Sequence, residues 1–189
     1  MMSKYQLLLA ENQTLQTERL WLRPVTLADT ADMFAYASDE KCVEYVFPPH
    51  VTTADTKVAI ASYFMAEPLG KYGLELKATG QMLGTIDLRV KMEKKVGELG
   101  YTLNREFWGQ GFMPEAAEAL LQLGFAQLEL LRVFAVHDID NQASGRVMEK
   151  IGMTIEGTIK NARISKGKIV TDVLRGITYE TWQQRHVSK

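Results

Sequence analysis

Leu20 and Leu22 fall on one face of a strand predicted over residues 17–23, and Pro24 ends it. Thr26, with Asp29 three residues on, is a capping signal for a first helix in which Met33, Phe34 and Ala37 recur at helical spacing up to Ser38. Pro48 and Pro49 then hold the chain extended, and Thr52 or Thr53 can cap a second helix that carries Val58, Ala61, Phe64 and Met65 toward a core. From Tyr72 the period shortens to that of strands. Residues 73–78 and 82–90 flank a Thr79-Gly80-Gln81 turn, and a lysine-rich turn through 92–95 leads to a third strand at 96–103. Pro114 suits the first turn of a long helix, whose apolar face of Ala117, Leu120, Leu121, Gly124, Phe125 and Leu128 runs to Glu129. Beyond it, 133–136 predicts a short buried strand and 142–151 a helix closed by Gly152. Residues 154–161 and 169–180 complete the pattern as two strands around a Lys166-Gly167 turn. Residues 1–16 have no clear period and are expected to form a loosely attached arm, leaving 17–183 as the folded domain.

This order, one strand, two helices, three strands and then alternating helices and strands, implies a mixed sheet with helices against it, an α/β or α+β class. Composition supports a single core: 189 residues, 46% of them hydrophobic and 24% charged, are ordinary for one globular domain and too apolar for disorder. Twenty-two Lys plus Arg against 23 Asp plus Glu leave a formal charge of −1, so no global field draws the chain to nucleic acid or an anionic membrane. Lys91, Lys94 and Lys95 form a local basic turn, read as solvated. Cys42 is the single cysteine, which excludes an intrachain disulfide and a thiolate-rich metal cluster. No apolar run resembles a signal or a membrane span, so the expected compartment is cytoplasmic.

The segment Trp108-Gly109-Gln110-Gly111-Phe112-Met113 joins a strand to a helix N-terminus. Glycines there let the backbone approach a ligand, while unpaired amides and the helix dipole favour an anion such as a phosphate. A plain connector would use the same glycines only to turn. No Gly-Lys-Ser/Thr follows, as a Walker-type loop requires, and Pro114 occupies the third glycine position of a dinucleotide fingerprint, so neither ATP nor NAD is favoured.

The sequence resembles the GNAT superfamily of acetyl-coenzyme A dependent N-acetyltransferases, particularly the branch that acetylates N-terminal amines of ribosomal proteins. The resemblance runs through Thr17-Glu18-Arg19-Leu20-Trp21-Leu22-Arg23-Pro24, Gly84-Thr85-Ile86 and Gly97-Glu98-Leu99-Gly100-Tyr101. It continues through the glycine loop to Asn141-Gln142-Ala143-Ser144 and Glu149-Lys150-Ile151-Gly152-Met153. It implies a mostly antiparallel, splayed sheet in which the strand ending at Leu103 diverges from the one at 133–136. It further implies that amides of Trp108, Gly109, Gln110, Gly111, Phe112 and Met113 hold the coenzyme pyrophosphate. The pantetheine arm would lie along the free backbone of Tyr101 and Leu103, beside Asn141 and Ser144. The superfamily loop usually opens with Gln or Arg and ends with Gly or Ala. Trp108, typical of the ribosomal branch, and Met113 stand there instead.

Attack of a neutral amine on a thioester needs a route for a proton, donors for an oxyanion and help for the departing thiolate. Glu98 is the candidate base, acting through water, because the family often carries an acidic residue at that strand position; its other reading is a solvated strand residue. Ser144 is the candidate proton donor, by resemblance to the ribosomal branch. Asn141 and Ser144 also suit an N-cap and a first helical turn without any ligand. Met148 stands where many relatives place a tyrosine acid, and Arg163 where the ribosomal branch places a second glutamate base. His137 is a rival base, with His50 and His186 weaker. Trp21, Tyr36, Tyr45, Phe47 and Tyr101 can line an acceptor cleft or simply fill a core. The expected ligands are acetyl-coenzyme A and an amine acceptor, a protein N-terminus or a small amine, with no metal, in a monomer or homodimer. A non-catalytic acyl-coenzyme A sensor or scaffold is the alternative.

Overall fold

The structure, a computed structural model, describes residues 4–187, with side chains described for residues 4–185. In order, the elements are α1 (Lys4–Glu11), β1 (Leu15–Gln16), β2 (Leu20–Arg23), α2 (Thr30–Ala37), α3 (Thr53–Ala59), β3 (Lys71–Leu76), β4 (Met82–Lys91) and β5 (Val96–Leu103). There follow α4 (Phe112–Gln122), β6 (Arg132–Asp138), α5 (Gln142–Lys150), β7 (Thr154–Ser165), β8 (Lys168–Thr178) and α6 (Tyr179–Val187). The strands form one eight-stranded sheet in the order β1-β2-β3-β4-β5-β6-β8-β7. All neighbours run antiparallel except β5 and β6, so the expected mixed, mostly antiparallel sheet is found.

Side chains alternate across the strands and build a core on each face. Leu20, Leu22, Leu74, Leu88, Leu99 and Val133 meet α4 through Phe112, Met113, Ala116, Ala117, Leu120 and Leu121. On the other face Val25, Met33, Tyr36, Ala37, Ile60 and Met82 close a smaller core under α2 and α3. Caps follow the sequence signals. The Thr52 hydroxyl accepts from the Asp55 amide at 3.2 Å, and the Asp55 carboxylate accepts from the Thr52 amide at 2.8 Å. The β7–β8 hairpin turns at Lys166 and Gly167, both at positive φ as a two-residue primed turn requires.

Three stretches differ from the sequence reading. Residues 4–11 form a helix that buries Leu9 in the larger core and hydrogen-bonds it to α4's continuation, Asn12 Nδ2 donating to Gln127 Oε1 at 2.8 Å. This stretch is therefore packed rather than loose, with Tyr5 and Leu8 beside Leu9 on one helical face, a pattern of only two turns. In α3 and the wider π turn that continues it to Met65, the buried positions are Thr56 and Ile60, while Val58 is 66% exposed and Met65 47%. Thr56 can be buried because its hydroxyl pairs with His50 Nδ1 at 2.8 Å. The last strand stops at Thr178 and turns into α6, whose Trp182 packs on Phe125 with ring centroids 5.3 Å apart.

Candidate active site at the parting strands

Parallel pairing between β5 and β6 covers three positions and ends at Glu98 opposite Phe134, although β5 continues to Leu103 and β6 to Asp138. Beyond that point the strands part. The Asn104 amide donates to Leu83 O at 2.8 Å, which fixes the alternation along β5: Thr102 and Gly100 turn their backbone groups toward β4, and Tyr101 and Leu103 turn theirs into the gap. The Leu103 carbonyl is already taken, by Trp108 Nε1 at 2.7 Å and by Cys42 Sγ at 3.2 Å. The N–H and C=O of Tyr101 and the N–H of Leu103 thus face the gap without a strand partner. Burial raises the Cys42 thiol to about 11, so it stays protonated and holds that carbonyl.

At the end of β5 the chain passes through a single turn, capped by Asn104 Oδ1 accepting from the Glu106 amide at 3.1 Å, into Trp108–Gly111 and α4. Gly109 and Gly111 lie at φ 76° and 82°, the left-handed region that glycine enters without steric cost. Gly111 is the N-cap of α4, so the amides of Phe112 and Met113 have no carbonyl one turn back, and Pro114 has no N–H to leave unpaired. Arg19 braces this loop from β2's approach: its Nη1 donates to Gln110 O at 3.0 Å, and its guanidinium lies 4.2 Å from the Phe112 ring centroid. Glu115 holds Arg19 in turn, at 2.7 Å, and accepts from the Thr17 hydroxyl at 2.6 Å. Burial pushes the Glu115 carboxyl up, yet these bonds outweigh it and keep it below the usual range. Arg19 was not singled out in the sequence. Its only signal there was its place in the Thr17–Pro24 motif.

A cleft of about 620 Å³ opens over these groups. Tyr101, Leu103, Trp108, Gly109, Gly111, Phe112, Met113, Asn141 and Ser144 line it, nearly the whole set of candidate coenzyme-binding residues. Gln110 does not; its side chain folds back to donate to Glu106 O at 3.1 Å. Lys41, Arg146 and Lys150 also line the cleft, and none of them has an ion-pair partner among the described residues.

A second cavity of about 140 Å³ adjoins the first and shares Tyr45, Val46, Tyr101, Asn141 and Ser144 with it. Glu98 lines this smaller cavity and not the larger cleft. Its carboxylate is not free: Arg89, directly opposite on β4, donates to it at 3.0 Å and also pairs with Asp87. Asp87 accepts from the Tyr63 hydroxyl at 2.6 Å, and its burial pushes its carboxyl up against the pull of Arg89. Lys71, paired with Asp87 across β3 and β4, also pulls on that carboxylate, so two cations face two carboxylates in this corner.

Asn141 caps α5, its Oδ1 accepting from the Ser144 amide at 3.1 Å. The Ser144 hydroxyl lies 2.9 Å from the Tyr101 hydroxyl, which also reaches Ser144 O at 3.0 Å. Burial drives the Tyr101 phenol well above its ordinary value, with the Ser144 bond opposing. Met148 is buried beside them and offers no proton. Arg163 lines the same cavity, tied to Asp172 at 3.1 Å.

His137 lines the smaller cavity with both ring nitrogens engaged. Arg175 Nε donates to its Nε2 at 3.3 Å, which assigns the proton to Nδ1, 2.8 Å from Asp138 O. Its ring also lies 3.1 Å from where a Cβ on Gly145 would stand, so it is packed under α5. His50 is bound to Thr56 and stacked on Phe47, outside both cavities, and the His186 side chain lies outside the described residues. Among the aromatics, Tyr45 and Tyr101 line both cavities, whereas Tyr36 and Phe47 belong to the smaller core and Trp21 stands under Lys77 on β2.

Among the described residues no helix is long and apolar enough to cross a membrane, and no group of three or more His, Cys, Asp or Glu could hold a metal ion. The family model described as "Acetyltransferase (GNAT) domain" matches residues 19–154. "Uncharacterized N-acetyltransferase YoaA" of Bacillus subtilis (strain 168) is 30% identical over 158 residues, covering 81% of this chain and 89% of its own. "Ribosomal-protein-serine acetyltransferase" of Escherichia coli (strain K12) is 33% identical over 84 residues, 43% of this chain and 46% of its own. The crystal structure of an acetyltransferase (GNAT family) from Bacillus anthracis superposes with a TM-score of 0.81 at 26% identity, covering 88% of this chain and 99% of that one. A matched domain that spans the glycine loop, the parting strands and the Ser144 helix together places the protein: the chain belongs to the GNAT superfamily and is an acetyl-coenzyme A dependent acetyltransferase.

Proposed function

We propose that acetyl-coenzyme A occupies the larger cleft and that its acetyl group passes directly to the N-terminal amine of a protein, offered through the smaller cavity. The observation that carries this reading is the pair of adjoining cavities that share Tyr101, Asn141 and Ser144, one rich in unpaired backbone donors and the other in ionic side chains. Two reactants held on either side of one seam need no covalent enzyme intermediate, and proximity supplies part of the rate.

On the coenzyme side, amides at Gly109 to Met113 suit a pyrophosphate, and Lys41, Arg146 and Lys150 suit the remaining phosphate charge. The free N–H and C=O of Tyr101 and the N–H of Leu103 suit the amide groups of the pantetheine arm, paired as an extra strand would be. On the acceptor side, Glu98 removes a proton from the incoming amine through water, and Arg89 fixes its carboxylate in place. An unpaired amide at the gap steadies the thioester oxygen as it gains charge, and the Ser144 hydroxyl protonates the departing thiolate.

The choice of a protein N-terminus rests on two supports. A cavity of about 140 Å³ suits one amine-bearing chain end better than a folded surface, and a relative matching 43% of this chain carries the name ribosomal-protein-serine acetyltransferase. The test offers the protein acetyl-coenzyme A with a panel of peptides bearing free N-termini, the same peptides blocked at the N-terminus but carrying lysine, and small amines, and follows free thiol. Release is expected with free N-termini first. Release with small amines or lysine alone overturns the acceptor class. Binding of the coenzyme without release across the panel returns the sensor reading.

A further inference from the structure

Tyr101 carries one phenolic proton and has two acceptors within reach, Ser144 O at 3.0 Å and Ser144 Oγ at 2.9 Å. When the proton goes to the carbonyl, the serine hydroxyl must donate back to the phenol oxygen, and its proton points away from any ligand. When the phenol instead donates to Oγ, that oxygen has its donor, and the serine's own proton is released to face the seam. Rotation of the two O–H bonds together interchanges the two states. The backbone supports the pair from both sides: the Asn141 cap fixes the Ser144 amide, and β4 pairing fixes Tyr101 in register with Ile86. Both residues line both cavities, and Met148 beside them has no proton to contribute.

We propose that Tyr101 is the positioning residue for the Ser144 hydroxyl, turning its proton toward the departing sulfur. This rests on the proposed acetyl transfer. In the transfer the amine nitrogen bonds to the acetyl carbon, the C–S bond breaks and its electron pair goes to sulfur. Ser144 gives its proton to that sulfur, Glu98 takes through water the proton the nitrogen loses, and that proton returns through water to the serine, so the balance closes without an outside acid. Tyr101 keeps its proton throughout, in accord with a buried phenol that resists ionisation.

The test is a double-mutant cycle of Tyr101→Phe and Ser144→Ala, with kcat and KM for acetyl-coenzyme A measured on a free N-terminal peptide. Loss of one charge-directing hydroxyl bond predicts that Tyr101→Phe lowers kcat roughly tenfold, with KM changed less than about twofold. In the Ser144→Ala background the same substitution is expected to leave kcat unchanged, because the group it positions is gone. Equal losses in both backgrounds, or a change confined to KM, give Tyr101 a merely structural or binding role and overturn the inference. So does wild-type kcat in Tyr101→Phe. If the wild-type protein releases no thiol with any amine, the acetyl-transfer reading fails and this inference with it, an outcome distinct from turnover that ignores Tyr101.

Discussion

The two cavities that meet at Tyr101 and Ser144 are made of different material. The larger is a backbone site: positive-φ glycines, the opening amides of α4 and the unpaired edge of β5. The smaller is a side-chain site, where Arg89 joins Glu98 and Asp87, Arg175 joins His137 and Glu149, and Arg163 joins Asp172. A backbone site accepts many side chains at its positions, so Trp108 and Met113 offer the same main-chain amides that other residues there would. A side-chain site changes with any one substitution, and this is why the coenzyme half of such a protein is easier to recognise than the acceptor half.

If the two halves are as separable as this contrast implies, substitutions should act on one and spare the other. The largest effect is expected at Glu98→Gln: kcat with a free N-terminal peptide falls on the order of a hundredfold, the range of general-base catalysis, while calorimetric affinity for acetyl-coenzyme A stays within about twofold. An unchanged kcat removes Glu98 from the mechanism, and a lost affinity breaks the separation. Gly111→Val should do the opposite. A β-branched residue at φ 82° costs about 1–2 kcal/mol or more, so the loop shifts and coenzyme affinity falls roughly tenfold or beyond. Undiminished binding there would show that the loop amides are not the phosphate site. The smallest expected effect sharpens the comparison: Arg146→Ala with Lys150→Ala should weaken coenzyme binding a few-fold, about 1 kcal/mol, and flatten its dependence on salt. A salt dependence equal to wild type would exclude both from phosphate contact.

Much of the scaffold was legible in the sequence, because strands β3 to β5 and helix α4 obey local periods and carry their own turn and cap residues. The misses have specific causes. On α3 the reading followed the apolar stripe through Val58 and Met65, but the burial goes through Thr56 and Ile60, since His50 satisfies the threonine hydroxyl. Residues 4–11 do carry a short helical pattern, Tyr5, Leu8 and Leu9 at i, i+3 and i+4 against the larger core, but two turns are too few to stand out as a period. Arg19 looked like any strand-flanking cation until Gln110, Phe112 and Glu115 gathered around it from some ninety residues away. Glu98 looked like an open carboxylate until the β4 register set Arg89 opposite it.

By itself the sequence determined what depends on near neighbours: the glycines that permit left-handed backbone before Pro114, the alternation that divides the sheet faces, the asparagine that caps α5, and the order of motifs that marks the superfamily. Only the tertiary structure decided what depends on pairing at long range. That β5 and β6 hold together for three positions and then part, that Tyr101 comes to face Ser144 across 43 residues, and that Glu98 shares Arg89 with Asp87 are consequences of strand register and packing. Local φ/ψ preference and periodicity are written residue by residue, whereas the geometry of a site between two strands exists only once both are placed.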